Sequence, residues 1–275
     1  MMFPAVLNLP CNNREELIML LVIDVGNTNV EMGIFLEEKL TYTFRIATNK
    51  DMTSDEIGMA VAQYFMIQGL KREDVKAVLV SSVVPQLNYS ITNAIKKYFS
   101  QKPLVFGEDI TVDMDNRYGD PKAVGADRLI TAYAAYKKYG GPLVVVDFGT
   151  ATTFDVVDAT GAYLGGSIYP GLKISMDALV SRTAKLPRIE IVHPEHAIGK
   201  STVTSMQSGI MYGYVGAVEN IVNMLCDELG EKADVIATGG LATTISREYK
   251  GFRAIDKTLI LDGLKMIYDE YKSKQ

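Results

Sequence analysis

Two stretches of the chain carry the same short pattern, and this repetition constrains the fold more than any other feature. Residues 20–35 read LLVIDVGNTNVEMGIF, and residues 143–157 read LVVVDFGTATTFDVV. Each has an apolar run, then Asp, one apolar residue, Gly and a cluster of hydroxyl or amide side chains, before a second mostly apolar run. Short apolar runs bounded by turn residues are typical of buried strands. The repeat therefore predicts two strand–turn–strand units, with Asp24 and Asp147 in equivalent positions.

The segments that follow each repeated turn also come in one order. Three strands, then alternating helices and strands, are predicted in each half of the chain. Because the order repeats, we predict an α/β fold of two duplicated lobes, formed by residues 19–139 and 140–275. The strands predicted to open the two halves lie at 20–25, 30–36, 40–46, 143–147, 152–157 and 162–168.

Local signals place the remaining elements. Thr53 and Glu56 have the spacing of a capping box, which predicts the start of a helix. Residues 107–126 are rich in Gly, Asp and Pro, so we predict a loop of functional length. Further helices are predicted at 87–99, 127–139, about 204–229, near 241–248 and at 259–272, and further strands at 76–82, 103–106 and 234–238.

Composition argues against several classes of function. The formal net charge is −5, so the chain as a whole has no electrostatic footprint for nucleic acid. No apolar run approaches the roughly 20 residues that a membrane-spanning helix needs. Cys11 and Cys226 are the two cysteines, and reduced thiols in a cytoplasmic protein are expected. We therefore expect neither nucleic acid nor membrane as a partner.

The first 18 residues differ from the rest of the chain. They lack a basic region, and Pro4 and Pro10 interrupt their short apolar stretch, so they make a poor signal peptide. The first predicted strand begins just after Met19. We predict that residues 1–18 are a dispensable extension.

The chemistry of the paired turns points to phosphate. Gly after a strand-ending Asp permits a tight turn and close backbone approach. Backbone N–H groups and the hydroxyls of Thr28 and Thr150 can then donate to phosphate oxygens. Asp24 and Asp147 could hold a cation directly or through water. A single turn of this kind is most often a plain hairpin turn, but two matched turns that face one cleft favour the phosphate interpretation.

A third element completes a recognisable set. The sequence ATGGLA, residues 237–242, lies between a predicted strand and a predicted helix. On its own, a Gly pair before a helix is usually an ordinary turn. Because it follows the two Asp-x-Gly turns along the chain, it resembles the adenosine motif of the actin, sugar-kinase and Hsp70 superfamily. That resemblance implies two ribonuclease-H-like lobes with an ATP cleft between them.

Two other patterns do not support a site. The sequence IGKST, residues 198–202, matches only the end of a P-loop, because Pro194 stands where the first glycine is required. His193 and His196 flank a Pro-Glu pair, but the chain has no further His and no CxxC motif, so a solvated loop is expected there rather than a metal site.

The sequence GADR, residues 125–128, suggests how a substrate is held. Asp127 could accept a proton from a substrate hydroxyl, and Arg128 could pair with an acidic substrate. The plainer interpretation is an N-capping Asp followed by a surface Arg. Together with SSVVP (81–85), GGSIYPGL (165–172) and SRTAKLP (181–187), however, GADR resembles the type III pantothenate kinase family. SMQSGIMYG (205–213) and DFGTATT belong to the same resemblance, which spans residues 19 to about 270.

That resemblance implies an enzyme that uses ATP to convert pantothenate to 4′-phosphopantothenate, the first step of coenzyme A synthesis. It implies a cytoplasmic homodimer that requires Mg²⁺ and a monovalent cation, K⁺ or NH₄⁺. Asp127 would be the general base, Asp24 would lie near the Mg²⁺ of ATP, and Asp147 would bind the monovalent cation. The implied ATP-binding residues are Asp24, Val25, Gly26, Asn27, Thr28, Asn29, Val30, Glu31, Thr150, Gly239 and Gly240, and the implied pantothenate-binding residues are Tyr118, Gly125, Ala126, Asp127, Arg128 and Thr183.

Three alternatives stay open on the sequence alone. The substrate could be another small hydroxylated acid. Some relatives of this family are described as accessory factors for transcription, but the three aspartates and the acidic charge weigh against that class. Finally, Gly209, Gly213 and Gly216 fall at spacings of four and three in one predicted helix. They allow close helix packing, either inside the protein or at a dimer seam.

Overall fold

The computed structural model describes residues 18–275. The predicted extension falls outside this range except for Ile18, and Cys11 is also outside it, so both predictions stay predictions. The first half forms one five-stranded sheet with the order β3-β2-β1-β4-β5. Strands β1, β2 and β3 are antiparallel neighbours, whereas β4 and β5 run parallel to β1. The strands are β1 (Met19–Val25), β2 (Asn29–Leu36), β3 (Lys39–Ala47), β4 (Val75–Ser82) and β5 (Leu104–Val105).

The second half repeats this sheet strand for strand. Its order is β10-β9-β6-β7-β8, with β6, β7 and β8 antiparallel and β9 and β10 parallel to β6. The duplication predicted from the paired turns is therefore confirmed. The strands are β6 (Leu143–Phe148), β7 (Ala151–Val157), β8 (Tyr163–Pro170), β9 (Asp234–Thr238) and β10 (Ala254–Ile255).

The helices follow the predicted positions with a few corrections. The capping box between Thr53 and Glu56 is present at the start of α1. Helix α2 begins two residues earlier than predicted because Pro85 lies in its first turn, where proline is tolerated. Helix α6 is only four residues long, and the two-residue β10 was not predicted. The helices are α1 (Ser54–Ile67), α2 (Pro85–Phe99), α3 (Ala126–Tyr139), α4 (Leu172–Ser181), α5 (Thr202–Leu229), α6 (Ala242–Ile245) and α7 (Leu259–Ser273).

Alternating residues of β1 divide the core of the first sheet into two layers. Leu21 and Ile23 face a cluster that includes residues of α1 and α2, whereas Leu20 and Val22 face a cluster with residues of α3 and α7. This division follows from the two-residue period of a strand. Both faces of the sheet are therefore covered by helices.

Helices α3 and α7 pack against each other and connect the two sheets. Helix α7 comes from the second half of the sequence, yet it contacts β1, β2 and β4 of the first sheet. Helix α3 comes from the first half, and its alanines pack in a cluster with β6 and β7 of the second sheet. The lobe boundary at residues 139 and 140 stays a prediction. This crossing places the first turn of α3 beside the ends of β1 and β6. Within residues 18–275, no helix is long and apolar enough to cross a membrane.

Candidate active site

The two repeated aspartates occupy equivalent places in the two sheets. Asp24 is the last residue but one of β1, and Asp147 is the last but one of β6. In each case the parallel neighbouring strand supplies a hydroxyl side chain opposite the aspartate. Ser81 of β4 lies opposite Asp24, and Thr238 of β9 lies opposite Asp147. The predicted equivalence of the two turns therefore extends to the strand beside each of them.

The lobes differ on the antiparallel side of these aspartates. Glu31 of β2 is the partner of Asp24, whereas Thr153 of β7 is the partner of Asp147. The Glu31 carboxylate pairs with Arg45 at 3.1 Å. It also raises the pKa of both Asp24 and Asp147, so it lies within electrostatic reach of each. The strand partner of the aspartate is therefore acidic at the first turn and a hydroxyl residue at the second.

The two turns meet across the cleft. The Thr28 hydroxyl lies 2.5 Å from the Thr150 hydroxyl, and one of them donates to the other. The first turn is closed by a hydrogen bond from Gly26 N to Asn29 O at 3.0 Å. Its Gly26 carbonyl also accepts from the Thr48 hydroxyl at 2.7 Å. The turns therefore face one shared space, as the sequence predicted.

Asp127 is held at the start of α3. Its Oδ1 accepts a hydrogen bond from the backbone N–H of Arg128 at 2.8 Å. Gly125 is the N-cap residue, and a Cβ at that position would lie 2.5 Å from the same Oδ1. Only glycine leaves the carboxylate in this position without displacement. The alternative in which Asp127 itself caps the helix is therefore wrong.

Electrostatics link the three aspartates into one group. Burial is the main cause that raises the pKa of Asp24 to about 8 and of Asp147 to about 7. The charge of Asp127 is the second cause in both, so its carboxylate lies near the other two. Burial also raises the pKa of Asp127 itself, while the Arg128 amide and guanidinium oppose the shift. Without a nearby cation, the carboxyls of Asp24 and Asp147 therefore retain protons well above the pH at which an exposed Asp loses its proton.

The oxygen atoms present suit hard cations. Asp24 Oδ1 is buried and, among the described residues, accepts no hydrogen bond of standard geometry, although the Ser81 hydroxyl is close enough to lower the pKa of Asp24 against the larger effect of burial. Mg²⁺ and K⁺ prefer carboxylate, carbonyl and water oxygens of this kind. Among residues 18–275, however, no three acidic, His or Cys side chains are close enough to hold a metal alone. Any Mg²⁺ here would need oxygens from a nucleotide or from water to complete its shell.

Arg128 is buried, so its interpretation as a surface residue is wrong. Its Nε donates to Asp155 Oδ1 at 2.8 Å, and its Nη2 lies 2.7 Å from the same oxygen. Asp155 in turn accepts from the Tyr163 hydroxyl at 2.8 Å and from the Thr153 hydroxyl at 3.0 Å. Sequence reasoning missed this network. Its one available signal was a carboxylate inside the apolar strand β7.

Of the other two predicted substrate-binding residues, Tyr118 and Thr183, only Tyr118 has a contact that places it beside Arg128 in the described residues. The ring of Tyr118 lies 6.4 Å from that of Tyr163, and so beside the Arg128 network. Thr183 follows α4, is exposed, and donates its hydroxyl hydrogen bond to the Leu179 carbonyl at 2.8 Å. Within the described residues no hydrogen bond joins Thr183 to Arg128. Tyr118 is thus associated with the GADR segment, and the role of Thr183 stays a prediction.

The predicted adenosine motif adjoins Asp147. Gly239 has a φ of +87°, which favours glycine, and a Cβ there would collide with the Asp147 carboxylate. Gly240 is exposed. Of the residues predicted to bind ATP at the first turn, Asn27 and Thr28 are exposed, while Val25 and Val30 are buried. The buried valines can contribute to a nucleotide site only through their backbone.

The sequence comparisons agree with this geometry. The family model described as type III pantothenate kinase matches residues 20–224. A type III pantothenate kinase from Moorella thermoacetica is 47% identical over 251 residues, which cover 91% of this chain and 99% of the relative. The chain belongs to the type III pantothenate kinase family. The protein of the same name from Brevibacillus brevis is 46% identical over 255 residues, covering 93% of this chain and 100% of the relative.

Solved structures support the fold class. A conserved Campylobacter jejuni protein, provisionally described as a Baf family transcriptional activator, has a TM-score of 0.57 with this chain. The match covers 92% of this chain and 99% of that protein, at 20% identity. At this identity the likeness shows the fold alone. The (R)-2-hydroxyglutaryl-CoA dehydratase component A from Acidaminococcus fermentans shares the fold with a TM-score of 0.53, over 93% of this chain and 98% of that protein at 15% identity.

Proposed function

We propose that this protein transfers the γ-phosphoryl group of ATP to pantothenate, giving 4′-phosphopantothenate at the first step of coenzyme A synthesis. The observation that carries the proposal is the position of Asp127, next to two matched carboxylate turns in a chain of this family. In this proposal the first turn and the ATGGLA segment bind ATP, while the GADR segment and Tyr118 bind pantothenate.

The proposed mechanism gives each group a simple task. Phosphoryl transfer requires in-line positioning and charge neutralisation more than covalent help from the protein. Backbone N–H groups of both turns and the hydroxyls of Thr28 and Thr150 orient the phosphates. Asp127 accepts the proton of the primary hydroxyl as that oxygen attacks the γ-phosphorus. Its raised pKa, caused mainly by burial, makes it a stronger base than an exposed carboxylate.

Cations are part of the proposal because the site is rich in carboxylates. Asp24 is proposed to act next to Mg²⁺ carried by ATP, and Asp147 to contact K⁺ or NH₄⁺. Such cations would neutralise phosphate charge that a P-loop lysine neutralises in other kinases. The support from this chain is the raised pKa of Asp24, which is caused first by burial and then by the charges of Asp127, Glu31 and Asp147.

A cytoplasmic homodimer is also proposed, and α5 supports the association. Positions Gly209, Gly213 and Gly216 have open space where a Cβ would stand, so these glycines do not serve packing inside the described chain. Beside them lies an apolar groove of about 620 Å³ between α4 and α5, lined partly by Leu179 and Met206. A second copy that packs its own α5 here would cover the glycines and the groove together.

A coupled assay for ADP formation tests the proposed function. With pantothenate, Mg²⁺ and K⁺ present, we expect turnover that depends on each of them. Folded protein that binds ATP but shows no pantothenate-dependent turnover would overturn the proposal. A panel of small hydroxy acids in the same assay separates pantothenate from the alternative substrates. The regulatory alternative gains no support, since the Campylobacter jejuni likeness shows only the fold.

A further inference from the structure

The buried pair between Arg128 and Asp155 is unusual because it joins two different layers of the protein. Arg128 is on α3, and Asp155 is on β7, an inner strand of the second sheet between β6 and β8. Their side chains are 9% and 1% exposed. A buried ion pair is costly unless its remaining hydrogen-bonding groups are satisfied. The contacts around the Asp155 carboxylate meet that requirement, whereas in the described residues the buried Arg128 Nη2 has only its 2.7 Å ion-pair contact with Asp155.

Both oxygens of Asp155 are fixed. Oδ1 accepts from Arg128 Nε at 2.8 Å and from the Tyr163 hydroxyl at 2.8 Å, and Oδ2 accepts from the Thr153 hydroxyl at 3.0 Å. Tyr163 is itself fully buried. The Asp155 carboxylate therefore has little rotational freedom, and its contacts with Arg128 set the orientation of the guanidinium.

The contacts also leave a defined part of the guanidinium free. The Nε and Nη2 edge of Arg128 is directed to Asp155. In the part of the chain that the structure describes, Nη1 makes no hydrogen bond, and unlike Nη2 it is not among the buried atoms without a partner. Nη1 therefore keeps some exposed surface and a donor that is free for a ligand. An arginine held in this way presents donors to a carboxylate at a fixed position.

Arg128 also contacts the neighbouring base and lies near an aromatic ring. The backbone N–H of Arg128 donates to Asp127, so the two residues are placed together. On the other side, the Arg128 guanidinium lies 6.0 Å from the Tyr163 ring, which neighbours Tyr118. Asp155 is thus connected to three residues of the proposed substrate site without being part of it.

We propose that Asp155, supported by Tyr163, is a positioning residue that sets Arg128 to recognise the carboxylate of the acceptor substrate, and so determines its selectivity for acids. This inference rests on the proposed function, in which pantothenate is the acceptor. Asp155 itself touches neither ATP nor pantothenate. It acts only through the orientation of Arg128.

The test compares Asp155→Asn with wild type on two acceptors, pantothenate and its uncharged primary amide. We expect the KM for pantothenate to rise on the order of tenfold, as is typical when a supporting partner is lost, with the KM for ATP nearly unchanged. The preference for pantothenate over the amide should fall by a similar factor. Asp234→Asn is the matched control, since Asp234 pairs with an exposed arginine in the same sheet.

Tyr163→Phe provides a second variant that keeps the ion pair. It removes one donor to Asp155 and should shift the same selectivity in the same direction by a smaller factor. The inference would be overturned if both variants kept the wild-type preference for pantothenate over the amide, or if KM rose equally for both acceptors. Either result would leave the proposed function standing. Wild-type protein that binds ATP but does not use pantothenate would instead refute the proposed function, and this inference with it.

Discussion

Replacing Gly125 with alanine adds one methyl group beside the proposed base. A Cβ at this position would lie 2.5 Å from Asp127 Oδ1. Ordinary carbon–oxygen contacts are longer by roughly 1 Å, so the carboxylate has to move by about that distance. It would also weaken its hydrogen bond from the Arg128 amide, now 2.8 Å long. A misplacement of about 1 Å in a reacting group can lower the rate on the order of 10²-fold.

We therefore expect Gly125→Ala to lower kcat by about one to two orders of magnitude, with little change in the KM for ATP. The fold should tolerate the change, because alanine costs only about 0.5–1 kcal/mol at a helix cap. Steady-state kinetics and a thermal melt measure the two effects. Gly119→Ala is the matched control, since that glycine lies in the loop before α3 with open space around it. A variant with wild-type kcat would refute the placement of Asp127.

Three further predictions follow from the same geometry. Asp127→Asn should lower kcat by at least about two orders of magnitude without loss of thermal stability; near-wild-type turnover would remove Asp127 from the role of base. Without Mg²⁺ or K⁺, the melting temperature should fall as the pH rises from about 5.5 towards 7. Folding raises the pKa of Asp24 to about 8 and that of Asp147 to about 7. In this pH range the folded state therefore retains protons that the unfolded chain releases, and the folded state loses stability as the pH rises. Asp147→Asn should flatten the pH dependence of the unfolding free energy by up to about 1.4 kcal/mol per pH unit, and an unchanged pH dependence would contradict the raised pKa of Asp147. Gly213→Arg should shift the protein towards monomer in analytical ultracentrifugation, and an unaltered dimer would exclude α5 as the seam.

The fold could be predicted largely because its signals are local and repeated. The apolar runs around Asp24 and Asp147 defined their strands, and the two sheets have one topology. The capping box at Thr53 fixed the start of α1 to the residue. Short elements could not be predicted in this way. The two-residue β10 depends on pairing with Ile236 and Ala237, which no local pattern in its own sequence encodes.

The site was predictable only where its residues carry a motif. The convergence of Thr28 and Thr150 follows from the paired turns, and the structure brings their hydroxyls into contact. The burial of Arg128 could not be read from the sequence, because its partner Asp155 is 27 residues away on another element. A carboxylate within an apolar strand is costly when unpaired, so its presence alone was the available clue.

If Asp127 is the base, phosphoryl transfer goes to the primary hydroxyl of pantothenate. Mass spectrometry and ³¹P NMR of a reaction with ATP, Mg²⁺ and K⁺ identify the product. We expect a phosphate monoester on that hydroxyl, formed in equal amount with ADP and nearly absent with Asp127→Asn. Release of free inorganic phosphate without a phosphorylated pantothenate would contradict it.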